Sequence, residues 1–488
     1  MTRVPETSKR KRATIGILVG LLLAALDGTV VATALPQILE ELDGFTLYFL
    51  PNALFMLCQT VSVPIWGRLS DLYGRGRFHL LAVTILVTGS VLCAFSHTMV
   101  ALVGFRAIQG LGAGGLMSLS FTMIADLYDL EERAKMQGAI SSVWGLAALV
   151  GPALGGWMTK AFGWPSIFWL NVPVGILAAV IVQSSWKDKP PAAAKGRLDV
   201  LGAVLLAVAS ASLLAAFGGA GRFGWSHHSV AKCLVAAALL VLILVFVERR
   251  RSDPFLAYDL YRNRLFTTGA LTGVFAMVCM FTAIFHVPLL AVGVLGRTLM
   301  MGGNMLTCMM LPWMVCSAMT KPLLKRFGYR TLAVAGMTLA AGAYGLLLRV
   351  GMGDSLAGVV GAMLLLGTGL GLTVAPLLIA AQNAVTKDRL GTATSLTQFT
   401  RSMGAALGLA VMGTLLLAPF GGREPEGLVD RSRLDPSQLQ AVVAPLLTGL
   451  HHVFLAAIVA ATLGVVFALS IPSGKAAELK LPQPAPEG

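Results

Sequence analysis

One carboxylate and one guanidinium lie inside long apolar stretches of this 488-residue chain. Asp27 is about halfway along the segment from Thr14 to Leu39, and Arg106 lies within the segment from Val100 to Ile124. A charge at the centre of a bilayer is costly and persists mainly inside a helix bundle or a water-filled path. Asp27 could take up and release a proton there, and Arg106, which stays protonated in proteins, could stabilise its carboxylate form. Alternatively, Arg106 extends its side chain to the outer membrane surface.

The elements that position these charges are apolar segments near the roughly 20 residues that a helix needs to cross hydrocarbon. A chain that is 56% hydrophobic and only 12% charged is not an ordinary soluble protein. We predict an all-α integral membrane protein with 14 transmembrane helices. They are Thr14 to Leu39, Leu47 to Trp66, Phe78 to Phe95, Val100 to Ile124, Met136 to Met158, Ser166 to Val182, Val200 to Phe217, Val230 to Val247, Phe266 to Val292, Met300 to Met319, Thr331 to Val350, Leu356 to Ile379, Ala393 to Ala418 and Leu450 to Ile471.

The net charge of +14 is explained by topology. With the N-terminus in the cytoplasm, most of the 37 Lys and Arg residues fall in inner loops, as the positive-inside rule requires. We therefore expect a multi-pass protein of the cytoplasmic (inner) membrane with both termini cytoplasmic. The basic clusters Lys9 to Arg12 and Arg249 to Arg251 are then anchors beside membrane lipid, and no nucleic-acid partner is expected.

An internal repeat divides the chain. The loop GRLSDLYGRGR (Gly67 to Arg77) resembles KPLLKRFGYR (Lys321 to Arg330), with Gly74 falling on Gly328. Related halves with a site between them are a transporter arrangement. We predict a cytoplasmic N-terminus (1–13), an N-terminal six-helix bundle (14–184), linker helices 7 and 8 with flanking cytoplasmic loops (185–265), a C-terminal six-helix bundle (266–471) and a cytoplasmic tail (472–488).

Five stretches resemble motifs of the major facilitator superfamily, in particular its fourteen-helix drug:proton antiporters of the EmrB/QacA type. They are LDGTVVATALP (Leu26 to Pro36), GRLSDLYGRGR (Gly67 to Arg77), LVGFRAIQGLGAG (Leu102 to Gly114), the Gly-Pro region of helix 5, and the passage from helix 12 to helix 13 (Gln382 to Gly408), in which Arg401 is the intramembrane cation. The resemblance implies the major facilitator fold, two six-helix bundles plus the inserted helices 7 and 8. It departs at Ala32, where many members have Asn, and at Lys325, which replaces the acid in the second loop.

The resemblance implies roles for particular residues. Proton coupling is expected of Asp27 and Arg106. A gating motif comprises Gly67, Asp71, Gly74 and Arg75, in which the aspartate can accept hydrogen bonds from a helix N-terminus or from the arginine. An antiporter motif comprises Gly138, Gly151, Pro152, Gly155 and Gly156. Its glycines could form a close, kinked helix seam, or the motif could be a generic Gly-Pro kink.

Candidate substrate-pocket residues are polar or aromatic groups within apolar segments: Thr29, Gln109, His286, Asn304, Trp313, Gln398 and Arg401. Each has a structural alternative. A lone histidine is usually satisfied by its neighbours, Trp313 lies in a Met-rich segment that could be plain core, and Arg401 could pair with a carbonyl group. No Asp or Glu lies deep within helices 7 to 14, which favours neutral or singly charged substrates.

These features predict proton-coupled efflux of amphipathic drug-like or toxic small molecules by alternating access. The alternative is a dedicated exporter of one metabolite, such as a self-made antibiotic or a siderophore, with the same coupling. The sequence shows no clustered catalytic constellation and no phosphate-binding loop, so we expect no enzyme and no cofactor beyond the proton gradient. The six cysteines have no metal-ligand spacing, so no metal is expected. Partners would be substrate, protons and lipid, with a periplasmic adaptor left open.

Overall fold

The computed structural model describes residues 7–42, 50–188, 200–223, 227–249, 258–297, 299–386, 389–420 and 436–474. Over these ranges the regular structure is entirely helical. The N-terminal helices are α1 (Thr7–Leu42), α2 (Leu50–Tyr73), α3 (Arg75–Ala94), α4 (Met99–Leu127), α5 (Leu130–Phe162), α6 (Ser166–Trp169) and α7 (Asn171–Ser185). Two helices follow, α8 (Val200–Phe223) and α9 (His228–Arg249).

The C-terminal helices are α10 (Tyr258–Arg262), α11 (Arg264–Leu289), α12 (Leu299–Ala318), α13 (Thr320–Leu347), α14 (Leu356–Asn383), α15 (Leu390–Leu417) and α16 (Pro436–Leu469). A π-helical turn, Leu290–Val294, extends α11, and a short 3₁₀ turn, Ala418–Phe420, extends α15. Each predicted apolar segment overlaps one of these helices, and the sixth is divided between α6 and α7. The predicted elements are therefore present as helices.

The number of membrane crossings is a separate question. Counted over the described ranges alone, nine helical segments are long and apolar enough to span a membrane. The prediction of an all-helical, multi-pass membrane protein is confirmed. Fourteen crossings stays a prediction.

The helices pack as two groups. In the first, α4 contacts α1, α2 and α3, while α1 also contacts α5 and α7. In the second, α14 contacts α11, α12 and α13, and α16 packs on α11 and α13. The groups meet where α5 lies against α12 and where α15 lies against α2 and α4. The inserted pair, α8 and α9, pack on each other, and α8 covers α2 and α15. A site between the groups is thus framed by α2, α4, α5, α12 and α15.

The two loops of the predicted repeat share a backbone feature. Gly74 precedes α3 with φ of 103°, and Gly328 interrupts α13 with φ of 73°. Both angles lie in the left-handed region, which glycine enters without a Cβ clash. Equivalent loops of the two halves therefore turn by the same device, which supports the correspondence of Gly74 with Gly328.

Candidate functional site

The two charges singled out by the sequence form a buried ion pair. Asp27 of α1 is 2% exposed and Arg106 of α4 is fully buried. Arg106 Nη1 donates to Asp27 Oδ2. The alternative that Arg106 reaches the outer surface is wrong for this structure, because its guanidinium is satisfied inside the N-terminal helices.

Two amides complete the surroundings of the Asp27 carboxylate. Gln109 Nε2 donates to Oδ1 at 2.6 Å, and Asn171 Nδ2 donates to the same oxygen at 2.9 Å. Both amides also donate to Ser90 Oγ, at 3.0 and 2.7 Å respectively. Ser90 in turn donates to the carbonyl oxygen of Phe168 at 3.0 Å. The carboxylate is thereby held by α1, α3, α4 and α7 together.

Arg106 has further partners that fix its orientation. Its Nη1 donates to Gln109 Oε1 at 2.7 Å and its Nη2 to Asn52 Oδ1 at 3.2 Å. The guanidinium lies over the ring of Phe55, 4.0 Å from the centroid, a favourable cation–π contact. Within the described ranges its Nε is buried without an acceptor, and Asp27 is the carboxylate that compensates its charge.

The sequence prediction omitted three residues of this network, Asn52, Ser90 and Asn171. Asn171 and Ser90 are buried, and each stands within or beside an apolar run of sequence. A polar side chain in such a run was the available signal. Gln109, predicted for the substrate pocket, is part of the ion-pair network.

Three glycines bring α4 close enough to its neighbours for these contacts. A Cβ at Gly110 would meet the carbonyl of Phe55, and one at Gly114 would meet the carbonyl of Gln59. A Cβ at Gly112 would meet the backbone of Leu86 on α3. These separations are below any normal Cβ contact, so α4 needs glycine at all three positions to pack closely against both neighbours.

The gating motif joins the two halves. Asp71, near the end of α2, accepts from Thr392 N at 2.9 Å and Thr392 Oγ1 at 3.1 Å, at the first turn of α15. Arg75 Nη2 lies 3.1 Å from Asp71 Oδ1, and Arg75 Nε pairs with Asp126. Burial raises the pKa of the Asp71 carboxyl, while the charge of Arg75 and the donors of Thr392 act in the opposite direction. Both partners expected for Asp71 are therefore present.

The end of the molecule that holds this motif and the first turns of α15, the gating end, is tightly packed. A Cβ at Gly67 would collide with Ser395 and would lie 3.1 Å from the carbonyl of Gly391. Ser118 Oγ of α4 and Ser395 Oγ of α15 share a hydrogen bond of 2.5 Å. Since α2 and α4 belong to one half and α15 to the other, the halves are closed against each other here.

Gly74 lies beside Asp188, the nearest side chain to a Cβ placed at this glycine. Its positive φ lets α3 begin directly after α2, and the carboxylate of Asp188 accepts from Gly76 N at 2.7 Å and Arg77 N at 3.3 Å. Trp186 Nε1 donates to Asp188 at 2.9 Å. An acid at a helix N-terminus is stabilising. Asp188, in the stretch read from sequence only as a linker, thus fixes the start of α3.

The antiporter motif divides into two parts. A Cβ at Gly138 would lie 2.8 Å from Ala318 of α12, so α5 and α12 of opposite halves approach closely there. Gly151 and Gly155 are buried, but Gly156 is exposed and a Cβ there would have no heavy atom within 4 Å. The expectation that all these glycines allow close helix approach is therefore wrong for Gly156. The side chain of Pro152 lies outside the described part of the structure.

The candidate pocket residues differ in their surroundings. His286 is buried and its Nδ1 lies 2.9 Å from the carbonyl oxygen of Thr282 one turn earlier, whereas Asn304 is exposed. Trp313 is buried, and its indole N–H has no acceptor among the residues that the structure describes. The side chain of Thr29 is not described. Gln398 and Arg401 do lie together on α15.

The family model described as Major Facilitator Superfamily matches residues 17–409. Multidrug transporter protein MdtP of Bacillus subtilis (strain 168) is 31% identical over 91% of this chain and 82% of that protein. Multidrug resistance protein 3 of the same organism is 31% identical over 85% of this chain and 81% of its own length.

Solved structures agree in fold. The human organic anion transporter MFSD10 (TETRAN) has a TM-score of 0.61 at 18% identity, with 93% of this chain and 99% of that chain covered. The proton:xylose symporter XylE has a TM-score of 0.61 at 13% identity, with 96% of each chain covered. At these identities the likeness concerns the arrangement of helices.

Proposed function

Because this chain belongs to the major facilitator superfamily of membrane transporters and is not an enzyme, we propose that it exports amphipathic drug-like or toxic small molecules in exchange for protons. The names of the two Bacillus subtilis relatives support drug efflux as the activity. The energy source would be the proton gradient, with no bound cofactor.

The observation that carries the proposal is the buried pair of Asp27 and Arg106. A proton on Asp27 would remove the charge that compensates Arg106, and breaking one side of a buried pair is strongly destabilising. The network of Gln109, Asn171 and Ser90 would then have to rearrange. Proton binding can thereby shift the equilibrium between two arrangements of the helices, which is what coupling requires.

The two arrangements of the helices would differ at the gating end. We assign it to the cytoplasm, since the basic loops predict cytoplasmic termini and this end holds the Gly67–Arg77 loop. In the structure this end is closed by Asp71, Thr392 and the Ser118–Ser395 contact. Alternating access would open these contacts and close the opposite end, so that substrate enters from the cytoplasm and leaves outside.

Growth of a pump-deficient bacterial host tests the proposal. The host would express the protein and be exposed to cationic, neutral and anionic toxic compounds, with and without a proton uncoupler. We expect resistance to at least one amphipathic class and loss of the corresponding export when the uncoupler is added. Export that persists after collapse of the proton gradient would contradict proton coupling, and absence of resistance to every class would contradict drug efflux.

A further inference from the structure

Arg401 is a buried cation with few partners. It lies on α15 and is 2% exposed. Its Nη1 is 3.5 Å from Gln398 Oε1, and its Nη2 is 3.3 Å from the carbonyl oxygen of Val374 on α14. Both contacts are long for a charged donor. Its Nε is buried and has no acceptor in the part of the chain that the structure describes.

Arg106, the other arginine within a predicted membrane helix, has stronger partners than Arg401. Arg106 has a carboxylate, two amide oxygens and an aromatic face. Among the residues that the structure describes, no carboxylate lies within ion-pair distance of Arg401. A guanidinium remains protonated in a protein, and an ionisable residue inside a membrane segment indicates a functional site by default. An anionic ligand would supply the counter-charge that the described residues do not.

Two neighbouring contacts define the position of Arg401. The guanidinium packs directly against Gly273 of α11, where a Cβ would lie 3.2 Å from both Cζ and Nη2 of Arg401. Ser395, six residues earlier on α15, contacts Ser118 of the other half. Arg401 therefore lies within about two helical turns along α15 of a contact between the halves, and transporters of this architecture hold their substrates between such halves.

A second donor, the indole N–H of Trp313, belongs to α12, which packs against α14. The backbone of Trp313 packs against Gly371 of α14. A Cβ placed at Gly371 would lie 2.8 Å from the carbonyl oxygen of Trp313. Gly371 is three residues before Val374, whose carbonyl faces Arg401. The indole N–H of Trp313 donates to no group within the described residues. Arg401 and Trp313 are both hydrogen-bond donors. Within the described residues neither side chain has a short hydrogen bond to an acceptor.

We propose that Arg401 forms a subsite for an anionic group, a carboxylate or sulfonate, of an amphipathic substrate. This inference rests on the proposed function and names a substrate class for it. The guanidinium would accept such a group through two parallel N–H donors, while Gln398 and the carbonyl of Val374 orient it. The apolar body of the substrate would contact the surrounding helices, where Val274 and Val278 of α11 line the seam with α15.

The test compares two fluorescent probes that differ by one charge, 1-pyrenebutyric acid and its methyl ester. Their binding to the purified full-length protein is measured by energy transfer from tryptophan to pyrene. The variants are Arg401→Gln, Arg401→Lys and, as a control, Arg349→Gln, which changes an exposed arginine of the same half. Titrations are run in chloride and in gluconate to detect competition by an inorganic anion.

We expect the wild-type protein to prefer the carboxylate. Arg401→Gln should weaken carboxylate binding about tenfold or more, as loss of a charged hydrogen-bond partner does, and change ester binding by no more than about twofold. Ester binding also reports that the variant is folded. Arg401→Lys should retain part of the preference, and Arg349→Gln all of it.

Three results would overturn the subsite. The first is equal binding of acid and ester by the wild-type protein, and the second is an equal loss of affinity for both probes in Arg401→Gln. The third is competition by chloride without binding of the carboxylate probe, which would assign the arginine to an inorganic anion. Efflux of neutral compounds in the host assay would then still stand. Failure of the host assay with every compound would instead contradict the proposed function.

Discussion

Protonation of Asp27 would leave Arg106 as a buried guanidinium without a counter-charge. The amides of Gln109 and Asn171 now donate to the carboxylate, and a neutral carboxylic acid is a weaker acceptor for them. Helices α4 and α7, which donate to Asp27 through Arg106, Gln109 and Asn171, would lose part of their contact with it at the same moment. A single proton can therefore influence the packing of the whole N-terminal half.

Asn171→Ala tests whether this network is structurally important. It leaves Asp27 Oδ1 and Ser90 Oγ each without one buried donor, which should destabilise the protein by about 1–3 kcal/mol. Thermal unfolding in detergent would show a lower melting temperature. Asn304→Ala, at an exposed position of α12, is the matched control and should unfold like the wild type. Equal melting temperatures for all three proteins would contradict the role assigned to Asn171.

The sequence was sufficient to predict Asp27 and Arg106 but not their partners. A charge in an apolar segment is conspicuous because its cost is high wherever the segment lies. Asn171 and Ser90 carry no charge, and their meeting depends on the rotation and depth of α3 and α7. Those quantities are set by packing against α4 and α1, which hydropathy does not describe.

Helix seams depend on which face a glycine occupies. Gly138 lies on the face of α5 that meets α12, whereas Gly156, eighteen residues later, faces away from every described neighbour. Both glycines belong to the same sequence motif, and the motif alone predicts that both lie in one close contact between helices. The rotation of α5 separates a glycine that the inter-half contact requires from one that it does not.

Gly138→Val and Gly156→Val form a matched pair at this scale. Valine at position 138 would clash with Ala318 and should cost about 1–3 kcal/mol through overpacking, with reduced transport because α5 and α12 can no longer approach. Valine at position 156 has open space and should be tolerated. Export rates and thermal unfolding of both variants check this, and a larger defect in Gly156→Val would refute the assigned faces.

The molecule as a whole is closed at the gating end. Asp71 holds the first turn of α15, and Ser118 meets Ser395 across the halves. The fold class and the helix segments followed from hydropathy, and the repeat from two loops. The pairing of α2 and α4 with α15 did not, because helices distant in sequence meet only through the arrangement of both bundles.

Cross-linking would show whether this closed end opens during transport. In Ser118→Cys/Ser395→Cys, a mild oxidant should join the two halves by a disulfide bond and stop export, and a reductant should restore it. The single variants Ser118→Cys and Ser395→Cys, which keep the native cysteines, should be unaffected by either reagent. Full export by the cross-linked protein would mean that the halves do not separate here.

Proton carriage by Asp27 is the central claim, and proton movement in proteoliposomes measures it directly. Wild-type protein and Asp27→Asn would be reconstituted with a pH-sensitive dye, together with Asp354→Asn, which changes an exposed carboxylate. We expect substrate to drive proton movement in the wild type and in Asp354→Asn, and to drive none in Asp27→Asn. Undiminished substrate-driven proton movement in Asp27→Asn would contradict the account.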